Sequence, residues 1–114
     1  MSALGFIEIP FLGVAAVVAD AAAKAAKVRV LGFEATGNEN ILIRLAGGVA
    51  DIAAALATAE TLALRVGCSA VTHSLPRPAE GMGAMIQFPN AQNPLYGGRD
   101  QFLPTDFPNR LTTI

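Results

Sequence analysis

Residues 31–48, Leu-Gly-Phe-Glu-Ala-Thr-Gly-Asn-Glu-Asn-Ile-Leu-Ile-Arg-Leu-Ala-Gly-Gly, constrain the fold of this chain more than any other stretch. Two runs rich in β-branched and large apolar residues, Val28–Glu34 and Ile41–Ala46, flank the short polar segment Thr36-Gly37-Asn38-Glu39-Asn40. Its glycine and asparagines tolerate positive φ, so the segment reads as the tip of a β-hairpin. Such a tip is a poor place for core packing and a good place for a functional site.

The elements around this hairpin follow from periodicity. Ala3–Ile9 reads as a first strand stopped by Pro10. Gly13–Ala26 reads as a helix, with Val14, Val17, Val18, Ala21 and Ala25 spaced as one buried face. Within it Asp20 and Lys24 stand four apart with the acid first, the better orientation for a helical ion pair. Gly47-Gly48 breaks the third strand, and Val49–Val66 reads as a second helix facing the core through Ile52, Ala55, Leu56, Ala59, Ala63 and Val66. Asp51 and Arg65 suit its two ends electrostatically, and Gly67 sits where a C-terminal cap belongs. Ser69–Leu75 is a fourth strand, ended by Pro76-Arg77-Pro78.

The order β-α-β-β-α-β predicts an α/β chain of the α+β kind: a ferredoxin-like, four-stranded antiparallel sheet with both helices on one face. The domain is expected to span residues 1–78. Residues 79–114 differ in character, with five prolines in Pro78–Pro108, the tripeptide Phe-Pro-Asn at both 88–90 and 107–109, and irregularly spaced Phe88, Tyr96, Phe102 and Phe107. They read as an extended C-terminal arm held by its aromatics.

Composition decides what class of function remains. A chain of 114 residues that is 53% hydrophobic and 15% charged has more apolar surface than one small core hides, so part of it is expected to face another subunit. The strands alternate less than a half-solvated sheet should, which points the same way. A formal net charge of −1 with no basic stripe argues against nucleic acid. One cysteine rules out an intrachain disulfide framework and fits a reducing cytoplasm. Phe11–Val18 lacks a basic leader and is preceded by Glu8 and Pro10, so it is not read as a signal peptide, and no uncharged run reaches the ~20 residues of a membrane span.

Carriers of enzyme chemistry are sparse. Gly81-Met82-Gly83 is a lone Gly-x-Gly after two prolines, and no His/Cys grouping has metal-ligand spacing. His73, the single histidine, falls inside the fourth strand without a partner in sequence, and Cys68 is read as a small half-buried thiol at a helix-to-strand junction. No catalytic residue, metal or cofactor is therefore assigned. The two isolated basic positions, Lys24 and Arg77, read from the residues alone as a solvated helix lysine and an exposed turn arginine.

Four segments in register carry a resemblance over roughly Ala3–Pro78. Ala3-Leu4-Gly5-Phe6-Ile7-Glu8 resembles an Ala-Leu-Gly-Met-Ile-Glu strand; Ala19–Ala26 resembles an Ala-Asp-Ala-Met-Val-Lys-Ala-Ala helix; Val30–Glu34 resembles Leu-Val-Gly-Tyr-Glu; and Val71–Pro78 is similar to a segment containing Val-His-Val-Ile-Pro-Arg-Pro. These are features of the single-domain, hexamer-forming shell proteins of bacterial microcompartments.

That resemblance implies a structural shell subunit: a homohexamer that tiles with neighbouring hexamers and other shell proteins, encloses enzymes in the cytoplasm, and offers a central pore to small metabolites. It places the pore at Thr36, Gly37, Asn38, Glu39 and Asn40, and hexamer-edge contacts at Lys24 and Arg77. The chain departs from the family pattern at Ala35 (often lysine), Asn38 (often serine), Glu39 (glycine), Gly47-Gly48 (Gly-Asp) and Ala79 (often histidine). The competing reading is a small-molecule-binding regulatory oligomer on the same fold. An electron-relay shell variant would need a cysteine at the tip, far from Cys68.

Overall fold

A computed structural model describes residues 3–36 and 40–82. The elements are β1 (Ala3–Pro10), α1 (Leu12–Ala25), β2 (Val28–Ala35), β3 (Asn40–Gly47), α2 (Val49–Arg65) and β4 (Val71–Leu75). The strands form one sheet in the order β2-β3-β1-β4, every neighbouring pair antiparallel. This is the expected β-α-β-β-α-β arrangement, with element ends shifted by one or two residues. The described residues up to Ala79 form one compact unit; Glu80–Met82 belong to a second, and the expected arm, with Phe88, Tyr96, Phe102 and Phe107, lies outside the described residues.

Alternation along the two central strands builds the core. Ala3, Ile7 and Ile9 of β1 and Ile43 and Leu45 of β3 point to one face and are buried there with the inner faces of both helices. Each large aliphatic side chain buried this way contributes roughly 1.5–3 kcal/mol. From α2 the buried residues are Ile52, Ala55, Leu56, Ala59 and Ala63, as the periodicity predicted. Val66 is instead half exposed, because the helix has ended and it serves as the C-cap.

The face of α1 differs from the one expected. Ala15, Val18, Ala19 and Ala22 are buried, whereas Val17 is 54% exposed and Ala25 is exposed. Two overlapping series in this helix satisfy the spacing of a buried face; they share Val18, and Val14 of the expected series packs at the edge of the core while Val17 lies outside it. The alanines face inward because α1 packs against α2 as well as the sheet, and small side chains let both helices come close.

The end of α2 is fixed by its glycine. Gly67 has φ 88, its N–H donates to Leu64 O at 3.2 Å, and the Cys68 N–H donates to Ala63 O at 3.0 Å. This pair of bonds is the Schellman motif, and it turns the chain so that Cys68 packs against the core. The half-buried thiol thus has a structural explanation.

Candidate functional site

The hairpin is closed as its sequence predicts. Ala35 pairs with Ile41, and the Thr36 N–H and Oγ1 both donate to the Asn40 carbonyl, at 3.0 and 3.2 Å. Gly37, Asn38 and Glu39 complete the tip and lie outside the described residues. Thr36 is exposed and Asn40 half-buried, so the described shoulders of the tip remain open to solvent.

Sheet register then assigns every other feature to one of two ends. Pro10, the last residue of β1, pairs with Asn40, and β4 begins at Val71, opposite Glu8. The tip end therefore also holds the start of α1 and the finish of α2. Five large apolar residues are exposed there: Phe11, Leu12, Leu64, Val66 and Val71. At the other end, Ala3 pairs with Gly47 and Leu4 with Leu75. Lys24, in the last turn of α1, and Arg77, two residues past β4, both belong to this end. The eight residues of β1 separate the two ends by about 24 Å at the rise of an extended strand.

Both cations are available to a partner. Arg77 is exposed in the bend between its prolines. Lys24 Nζ lies 2.9 Å from Asp20 Oδ2, but the two side chains are 76% and 62% exposed. An i, i+4 pair so exposed is worth only about 0.3–0.5 kcal/mol, so another acceptor can displace it at little cost. Nearby, the Asp51 carboxylate accepts the Lys27 N–H at 3.3 Å and ties the first turn of α2 to the α1–β2 link.

One residue of the hairpin was not singled out in the sequence. Arg44, in the middle of β3, is only 6% exposed, on the sheet face opposite the helices. It stands opposite Gly32 on one side and Phe6 on the other. Leu31 is an extra residue in β2, where the pairing shifts between Val30 and Gly32. Beside that bulge the guanidinium lies over the bare Gly32 backbone, so close that a Cβ there would stand 2.7 Å from Arg44 Nη2. Burial pushes the Arg44 pKa below the usual arginine range, and the Glu34 carboxylate opposes the shift. A lone arginine at an apolar strand's centre, within Ile-Leu-Ile-Arg-Leu-Ala, was the available signal.

The described residues offer little for catalysis. His73 is exposed on β4, opposite Phe6, and no group of three or more His, Cys, Asp or Glu side chains among the described residues could hold a metal ion. No helix among them is long and apolar enough to cross a membrane.

Comparison with known proteins agrees with this geometry. The model of the BMC domain family matches residues 3–78. Among solved structures, a microcompartment protein from Desulfitobacterium hafniense superposes with a TM-score of 0.67 at 23% identity. The match covers 76% of this chain and 47% of that one, so the chain spans about half the length of its structural relative. The likeness is one of fold.

Proposed function

The chain belongs to the BMC domain family, and on that premise we propose that it is a structural shell subunit of a bacterial microcompartment. Six copies form a ring with the hairpin tips at its centre, and the rings tile edge to edge into the wall of a cytoplasmic compartment. The subunit is not a catalyst; its work is to close space and to leave a narrow passage.

The observation that carries this reading is the division of the domain into two unlike ends. A ring needs apolar surface where its copies converge, and Phe11, Leu12, Leu64, Val66 and Val71 are exposed around the tip. A tiled layer needs exchangeable polar contacts at its perimeter, and Lys24 and Arg77 are exposed some 24 Å away. The arginine fork is suited to the backbone carbonyls of a neighbour. In such a ring Thr36 and Asn40 flank the opening, and Gly37, Asn38 and Glu39 form its rim. The proposed boundary near residue 78 leaves residues 79–114 as an arm able to contact adjacent subunits or enclosed enzymes.

Negative-stain images of the purified chain test the proposal. Flat sheets, tubes or curved layers built of ring-shaped units are expected. Discrete oligomers that never associate laterally would favour the regulatory, ligand-binding reading.

A further inference from the structure

Phe11 holds a conformation that a phenylalanine avoids. Its φ is 70 and its ψ 117, and it is the one described residue other than glycine with positive φ. A side chain with a Cβ is strained there, and a bulky aromatic more than most. Its own fold does not repay the strain, because Phe11 is 67% exposed. As the N-cap of α1 it offers no side-chain oxygen; only its carbonyl is used, accepting the Ala15 N–H at 2.9 Å. Glycine would serve this backbone better in every local respect. The aromatic side chain is the one feature glycine lacks.

We infer that Phe11 is an interface anchor, presented at a backbone cost and seated against a second copy of this chain beside the hairpin tip. The inference rests on the ring proposed above and specifies what joins its members. Phe11 follows Pro10, the strand partner of Asn40, so it starts about one strand spacing from the tip's shoulder. In a head-to-tail ring the β2 edge of one copy meets the β4 side of the next, and these are the two open edges of the sheet. Phe11 is exposed at the tip end together with Leu12, Leu64, Val66 and Val71, and these apolar side chains form the centre of such a seam. An exposed aromatic in an apolar setting is the composition of a binding hot spot.

The test compares the full-length native chain with Phe11→Gly, Phe11→Ala and Phe11→Tyr. Assembly is followed by analytical ultracentrifugation over a dilution series, and unfolding by denaturant titration at dilutions where each protein is monomeric. Phe11→Gly and Phe11→Ala are each expected to raise the concentration for half-assembly at least tenfold, whereas Phe11→Tyr stays within about threefold of native. Among the monomers, Phe11→Gly should unfold at a higher denaturant concentration than Phe11→Ala, the reverse of the usual order, because alanine keeps the strained φ and glycine relieves it. If native rings form and the glycine and alanine variants assemble like native, the anchor assignment falls and the ring stands. A native chain that stays monomeric overturns both.

Discussion

Replacing Gly32 by alanine puts a methyl carbon 2.7 Å from Nη2 of Arg44, closer than non-bonded atoms of this kind approach. One of two things must yield. Either β2 moves away from β3 at a point where the bulge has already interrupted the ladder, or the guanidinium leaves its place. Moving a surface arginine would cost almost nothing, but Arg44 is 6% exposed. Displacing a buried cation from the surroundings it is fitted to costs about 1–3 kcal/mol. Against this, alanine in a strand is favoured over glycine by roughly 0.5–1 kcal/mol. The net expectation is a loss of about 1–2 kcal/mol, which lowers Tm by about 5–10 °C for a domain of this size. Chemical denaturation of Gly32→Ala, Arg44→Met and the double variant measures it. The double variant should recover most of the loss, with a coupling energy near 1 kcal/mol, since methionine leaves room for the new methyl group. Strict additivity, or a stabilised Gly32→Ala, would refute the steric account. The penalty is independent of pH near neutrality, because an arginine guanidinium is not deprotonated in proteins.

Three further outcomes are expected. Arg77→Ala should remain a folded ring with unfolding free energy within 0.5 kcal/mol of native, yet make no sheets by negative stain; collapse to monomers would place Arg77 elsewhere than the ring perimeter. Gly67→Ala, at φ 88, should cost about 1–2 kcal/mol in chemical denaturation, and an unchanged midpoint would mean that the cap of α2 relaxes freely. Glu39→Gln should speed entry of a small carboxylate into assembled shells at low salt more than at high salt, since ring carboxylates ~6 Å apart would repel by roughly 3 kcal/mol per pair at an effective dielectric near 20. Equal flux for the two proteins at both salt levels would remove Glu39 from control of the pore.

Why some of this was legible in the sequence and some was not has a physical basis. Hairpin, glycine cap and α2 face are local: each depends on residues within a few positions, and the local chemistry allows one reading. The α1 face depends on what lies against it. Ala15, Ala19 and Ala22 are buried because a second helix is near, and nothing within residues 12–25 announces that neighbour. Phe11 is the reverse case. Local preference argues against positive φ for phenylalanine, so only the three-dimensional arrangement shows that the chain accepts it. Arg44 needed the pairing with Gly32, two strands brought into register, before its burial made sense. The roles expected of Lys24, Arg77 and residues 36–40 came from resemblance, and the fold adds that Thr36 and Asn40 lie at the end opposite Lys24 and Arg77.

The length of β1 has a consequence for how such a protein changes over time. Sites more than about 10 Å apart that share no partners combine their energetic effects without interference. The tip and the Lys24–Arg77 end are separated by more than twice that. Substitutions that retune one end are therefore expected to add to the effects of substitutions at the other without changing them. In the proposed shell, permeability at the tip and cohesion at the perimeter are therefore separable targets for engineering within one small domain.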